Sequence, residues 1–180
     1  MIKRILAGSV CMAALIGPVH AGQAGTWYLR GDIGVGISDF AIWDDEIAIA
    51  GGGGFGYYYN QMFRSDITFD GAFDYEQRVL GVDVSLDTYS VMANGYWDIP
   101  AGGGFTPYLG AGVGYGWADA SAAGFTASTD GVAVAGMAGA SFNMTQSIAL
   151  DLGYKYRRII LNGQDIGDHM VRAGVRFDLN

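Results

Sequence analysis

Cysteine is almost absent: the 180-residue chain has one, Cys11. A lone thiol makes neither an intramolecular disulfide nor a cysteine zinc centre. Basic residues are also scarce, 10 Lys+Arg against 18 Asp+Glu, for a net charge of −8. The basic patch that marks a nucleic-acid binder is therefore missing. Three prolines and no three-residue glycine period exclude a collagen-like fibre, although 30 residues are glycine. Charged residues make up 16% of the chain, well below the usual quarter or so. Yet 51% is hydrophobic and 13% aromatic, which excludes a disordered chain. What remains is a chain of one ordinary domain's length, unusually rich in glycine and aromatic residues.

Residues 1–21 read as a secretory signal peptide. Lys3 and Arg4 precede an apolar run from Ile5 to Gly17; Pro18 ends it, and Val19-His20-Ala21 suits a cut after Ala21. The run is too short for a bilayer-spanning helix, which needs roughly 20 apolar residues. Cys11 lies inside the run after Val10, so a lipoprotein reading fails. The expected mature domain, 22–180, has no cysteine and one histidine, His169. It holds 8 basic and 18 acidic residues, a net charge of −10.

Two uncharged 20-residue stretches, 99–118 and 131–150, have the length of membrane helices. The first contains Pro100, Pro107 and seven glycines, and the second is broken by Asn143-Met144-Thr145-Gln146. Both alternate with period two, the mark of a strand with two different faces. Eight such strands are expected: 26–37, 47–59, 62–75, 86–98, 105–117, 131–142, 146–157 and 169–179. The sixth is the faintest, because both of its faces are small or apolar. Their connections alternate in length: 60–61, 99–104 and 143–145 are short, whereas 38–46, 74–85, 118–130 and 158–168 are longer. An even number of alternating strands with that rhythm predicts an up-and-down, all-β, eight-stranded antiparallel transmembrane barrel in an outer membrane.

Alternation alone does not say which face meets lipid. One face carries Arg30, Asp32, Arg64, Asp66, Asp70, Asp98, Asp151, Lys155, Arg172, Arg176 and Asp178 among many glycines. A narrow eight-stranded barrel has room inside for side chains and little else, so these residues are expected to form a paired charge network in the lumen. The opposite face carries no charge in any strand span. It carries aromatics in two groups: Trp27, Tyr57, Tyr59, Phe63, Trp97, Phe105, Phe142 and Phe177 at the short-turn end, and Phe73, Tyr75, Tyr89, Tyr115, Trp117, Tyr154 and Tyr156 at the other. Two aromatic belts match the girdles of membrane barrels. Lipid also forbids an open sheet edge, so the first strand must pair with the last.

Three segments resemble a known family. Phe105-Thr106-Pro107-Tyr108-Leu109-Gly110-Ala111-Gly112-Val113-Gly114-Tyr115 is similar to the fifth strand of the small OmpA-like outer-membrane β-barrel proteins, of the alphaproteobacterial porin-family type. Leu150-Asp151-Leu152-Gly153-Tyr154-Lys155-Tyr156-Arg157 resembles their seventh. The end of the chain, with Arg172, Gly174, Phe177 and Leu179, resembles the polar-x-Gly-x-x-aromatic-x-hydrophobic signal read by the barrel assembly machinery; Asn180 stands where many relatives end on an aromatic. The resemblance covers the mature chain and implies an outer-membrane location. It implies no activity and no periplasmic peptidoglycan-binding domain.

Other chemistry has weak footing. Gly51-x-Gly53-x-x-Gly56 matches a dinucleotide fingerprint on paper, but Tyr57-Tyr58-Tyr59 follows where a helix must start. Some eight-stranded barrels are lipid hydrolases, yet the mature chain offers only His169, followed by Met170-Val171 and no serine nucleophile. No catalytic residue, cofactor or histidine metal site is expected. Asp39, Asp44, Asp45 and Glu46 crowd the first long loop, and Asp74, Glu76, Asp83 and Asp87 lie in or beside the second. They read as solvated loop charges, or alternatively as carboxylates holding divalent cations against lipopolysaccharide. The expected role is a monomeric, non-enzymatic component of the envelope, in contact with outer-membrane lipid and lipopolysaccharide. A narrow channel for small ions or water and a surface adhesin are the alternatives.

Overall fold

A computed structural model describes residues 22–38, 47–79, 82–122, 125–161 and 165–179. The expected leader, residues 1–21, and the acidic stretch 39–46 lie outside the described residues, as does Asn180. Eight strands follow one another: β1 (Trp27–Ser38), β2 (Ile47–Tyr58), β3 (Phe63–Val79), β4 (Val82–Asp98), β5 (Phe105–Ala122), β6 (Phe125–Asn143), β7 (Ile148–Ile160) and β8 (Ile166–Leu179). Each pairs antiparallel with the next, and β1 pairs with β8 from Trp27↔Leu179 to Ser38↔Asp168, closing the barrel. Closure leaves no open edge within the ladder shared by all eight strands, as a lipid-embedded sheet requires.

The alternation expected from the sequence sets the two faces. Tyr28, Asp32, Arg64, Asp66, Asp70, Asn94, Asp151 and Arg176 are buried inside, while Ile33, Ile49 and Ile67 point outward at 74%, 65% and 63% exposure. Val91, Leu109, Val134, Leu152 and Val175 continue this bare apolar band over β4 to β8, which makes sense only against an apolar solvent. The short-turn end also needs special backbone. Gly102, Gly103 and Gly104 between β4 and β5 have φ of 85°, 62° and 79°, a left-handed run that side-chain-bearing residues rarely adopt.

Three connections are shorter than the sequence suggested. The segments 74–85 and 118–130, expected as long loops, are largely strand. β3 and β4 stay paired to Val79↔Val82, past a register shift between Ala72 and Tyr75. β5 and β6 stay paired to Ala122↔Phe125. Likewise β7 runs to Ile160 and β8 starts at Ile166, so the expected loop 158–168 shrinks to 161–165. The physical reason is that alternation requires two unlike solvents. Beyond the membrane both faces meet water or small side chains, so the pattern fades while the backbone ladder continues. β1, β2, β7 and β8 have 12, 12, 13 and 14 residues, whereas β3 to β6 have 17, 17, 18 and 19. A tilted strand crosses a bilayer with about 9–11 residues, so half of the wall stands well above the rest.

Candidate functional site in the barrel interior

The interior is stacked in three zones. At the short-turn end Arg64, from the start of β3, meets Asp98, from the end of β4, with Nε 2.9 Å from Oδ2. Its guanidinium lies 3.9 Å from the centroid of the Tyr96 ring and 5.0 Å from that of Tyr108. Arg176 sits across the lumen, with Nε 2.8 Å from Asp151 Oδ2. It donates to Ser141 Oγ at 2.7 Å and lies 5.6 Å from the Tyr58 centroid. These rings fill the bore because small residues face them. A Cβ on Gly56 would collide with the ring of Tyr28, and one on Gly153 with the Tyr108 hydroxyl.

The middle zone is a chain of shared carboxylates. Arg30 reaches Asp32 at 3.0 Å, Asp66 at 3.1 Å and the Tyr96 hydroxyl at 2.8 Å. Asn94 donates to Asp66 at 2.7 Å and to Thr68 at 3.1 Å. Thr68 donates to Asp70 at 2.8 Å. Asp70 then receives Lys155 at 2.7 Å and Arg172 at 2.6 Å. Arg172 also contacts Asp32, tying β8 back to β1. A cavity of about 20 Å³ remains here, lined by Arg30, Asp32, Lys155, Arg172, Asp151 and Tyr108 among others. That volume holds about one water molecule. Arg172 Nε, on the cavity wall, has no hydrogen-bond partner among the described residues.

The third zone, toward the taller end, is different. Arg157 is fully buried and pairs with Asp168 at 2.5 Å, while donating to Ser90 and Thr88 at 2.9 and 2.6 Å. Around and above it the lumen turns aliphatic. Ala48, Ala50, Ala72, Ala118, Ile166 and Met170 form one buried cluster, and Met92, Ala133 and Ile159 another.

Of the eleven residues expected in the lumen network all face inward and ten take part in ion pairs: Arg30, Asp32, Arg64, Asp66, Asp70, Asp98, Asp151, Lys155, Arg172 and Arg176. The network also includes two residues outside the expected set: Asp168, which falls in the expected loop 158–168 but belongs to β8, and its partner Arg157, which lies on the polar face of β7. With this pair the network holds six cations and six aspartates; Asp178 is a further buried acid at the short-turn end. The aliphatic zone was also missed, because alanine and methionine on an inward face do not look like a lining.

Of the residues set aside as an assembly signal, Arg172 and Gly174 turn inward, and Phe177 and Leu179 outward. Of the expected girdle, Trp27, Tyr59, Phe63, Trp97, Tyr115, Phe142, Tyr154 and Phe177 are exposed outside, while Tyr57, Trp117 and Tyr156 are half-buried among neighbouring rings. Trp27 stacks on Phe55 at 4.7 Å, and Phe105 meets Phe142 at 5.1 Å. At the other rim Tyr89 stacks on Trp117 at 5.9 Å. His169 belongs to that outer rim: its Nδ1 meets the Tyr154 hydroxyl and its ring lies 4.7 Å from Tyr156.

A closed, outward-apolar, eight-stranded barrel with a charged bore has clear relatives. Residues 7–178 match the sequence model of the family described as the outer membrane protein beta-barrel domain. The chain belongs to that family. Its place is the outer membrane. An uncharacterized protein of Brucella abortus (strain 2308) is 30% identical, over 84% of this chain and 84% of its own length. Among solved structures the barrel is similar to Neisserial surface protein A, with a TM-score of 0.74 at 20% identity, covering 85% of this chain and 97% of that one. It is also similar to Ail, the attachment invasion locus protein of Yersinia pestis, with a TM-score of 0.58 at 21% identity, covering 86% and 100%. These likenesses concern the fold.

Proposed function

We propose that this outer-membrane barrel is a closed, non-enzymatic structural component of the envelope, whose interior is fill and not a conduction path. What supports this reading above all is the balance of the bore. Among the described residues six cations pair with six aspartates, Asp178 being a seventh buried acid, and the cavity in the middle zone between them has only about 20 Å³. Charges lining a wet path keep part of their hydration, whereas these have traded it for one another. The aliphatic zone adds a second barrier, since Ile166, Met170 and Met92 offer an ion no partner.

The remaining parts of the reading follow from the same architecture. The barrel works as a single chain, because its closure needs no second copy. Its partners are outer-membrane lipid and lipopolysaccharide around the apolar band. During biogenesis the assembly machinery reads Arg172, Gly174, Phe177 and Leu179, and residues 1–21 serve as the cleaved leader of the domain 22–180. The outer surface carries acidic side chains.

Planar-bilayer conductance separates this from the channel alternative. The refolded chain from Gly22 onward is expected to stay silent, and an Asp70→Ala/Arg172→Ala variant to show brief openings because the middle zone loses its cross-tie. Discrete, reproducible steps in the unaltered protein would overturn the structural reading in favour of a narrow pore for small ions or water.

A further inference from the structure

The eight ladders do not all set their registers in the same way. From β2–β3 to β7–β8 the paired strands are joined by two to six residues, and so short a connection fixes which residues face each other. β1 and β8 are the first and last strands, and no connection joins them. Their register has to be chosen by side chains.

Parity narrows that choice without making it. A slip of one residue would turn the charges of β8 toward lipid, but a slip of two keeps every side chain on its own face. The outer face is indifferent to such a slip, because Ile33, Val35, Ala173, Val175 and Phe177 are all apolar. On the inner face immediate neighbours favour the wrong register. Arg30 stands directly opposite Arg176, and Asp32 opposite Gly174. With β8 moved two residues toward the taller end, Arg30 would face Asp178 and Asp32 would face Arg176. Opposite charges across a ladder attract and like charges repel, so the seam taken alone prefers the slipped arrangement.

The observed register is held from beyond the seam. One ion pair joins the described residues of β1 and β8, Arg172 with Asp32. The other arm of the same guanidinium reaches over β2 to Asp70 on β3, with Nη1 2.6 Å from Oδ1. Glycines clear its path. Arg172 lies opposite Gly34, and Asp32 opposite Gly174. A Cβ on Gly52 of β2 would sit 2.8 Å from Arg172 Nη2 and 2.7 Å from Asp70 Oδ1, and one on Gly174 2.8 Å from Asp32 Cβ. One side chain thus spans four neighbouring strands. A slip of two would lift it by roughly 7 Å, twice the rise of a strand residue, away from Asp70 and toward Ala48, Ala50 and Ala72. Those alanines offer a guanidinium no partner.

We propose that Arg172 sets the register in which the barrel closes: its reach over β1 and β2 to Asp70 selects the observed β1–β8 alignment against the one slipped by two residues. The proposal stands whether or not the bore conducts.

The test reads the register from backbone NOEs across the seam, in protein purified from outer membranes and placed in lipid nanodiscs. The unaltered protein is expected to show them between Ile33 and Ala173 and between Val35 and Val171. Asp70→Ala leaves β1 and β8 untouched. It should add a second set, Ile33 with Val175 and Val35 with Ala173, from at least about a tenth of the molecules, the share of a minor state separated by a small free-energy gap. Combining it with Asp178→Asn should abolish that set, because Arg30 then has no partner in the slipped register. Lys155→Gln also removes an ion pair to Asp70 but leaves the reach of Arg172 intact, and should show the native set alone. Arg172→Lys serves if Asp70→Ala does not fold. It keeps the charge but lacks the two-armed head that bridges both carboxylates, and the same second set is expected. A slipped set in the unaltered protein, its absence from Asp70→Ala or Arg172→Lys, its persistence with Asp178→Asn, its equal appearance in Lys155→Gln, or failure of both clasp variants to form any closed barrel would each overturn the proposal.

Discussion

The two halves of the lumen solve one packing problem by opposite chemistry. From the short turns to mid-height, the bore is filled by Arg, Lys, Asp and Tyr, each tied to several others, with Asp70 alone holding Lys155, Arg172 and Thr68. Toward the taller end it is filled by alanines, Met92, Ile159, Ile166 and Met170. The ionic half is cross-braced, since its pairs join β1 to β3, β3 to β7, β3 to β8 and β7 to β8. Apart from the Arg157–Asp168 pair that it encloses, the aliphatic half rests on contact alone. Buried ion pairs seldom add much net stability, but losing one partner strands the other in a medium that cannot solvate it. The ionic half should therefore be the less forgiving of single substitutions, even though its net contribution is no greater.

That comparison can be broken most sharply at Asp70. Asp70→Ala leaves Lys155 and the Nη1 side of Arg172 uncompensated, at a cost of about 3–5 kcal/mol. The expected result is a clear fall in the urea midpoint for unfolding from lipid vesicles, with the slope unchanged. A loss no larger than that of an ordinary core truncation would mean that water enters and takes over the pairing.

The aliphatic half is probed by Met170→Ala, which empties part of a cluster that contains no polar group. A cost of about 2–3 kcal/mol is expected from lost transfer energy plus the cavity left behind. The same urea titration measures it, and the deficit should not change with salt. A result above that for Asp70→Ala would reverse the ranking of the two halves.

The smallest effect belongs to an ion pair of the same type outside the bore. Arg158 meets Asp165 at 2.6 Å with side-chain exposures of 52% and 27%. Arg158→Ala should change stability by no more than about 0.5 kcal/mol, because water already screens the pair. A loss approaching that of Asp70→Ala would show that pairing, and not burial, sets the cost.

How much of this was legible beforehand depends on how far each feature is local. Inward and outward assignment was readable at Trp27–Ile37, Ile148–Tyr156 and Val171–Leu179, because neighbours on a strand point to opposite faces by covalent geometry. The extension of β3 to β6 was not readable, since alternation ends where the second solvent ends while hydrogen bonding goes on. Asp168 was lost for the same reason, having been assigned to a loop that the ladder in fact includes. That β6 outruns β7, pairing with it only as far as Val132↔Ile160, was equally invisible, because it comes from the unequal lengths of two neighbouring strands and not from any motif in 125–131.

The amino-acid order by itself determined the class of solvent on each side of the sheet, and hence an outer-membrane barrel. Its period of two, uncharged outer face and aromatic belts are all properties of single strands. Only the closed structure decided which aspartate meets which arginine. Arg30 finds Asp66 across 36 positions of sequence, Lys155 finds Asp70 across 85, and Arg172 spans from Asp32 to Asp70. Parity fixes that a charge points inward, but the height and angle at which it arrives depend on the stagger of all eight strands around the cylinder.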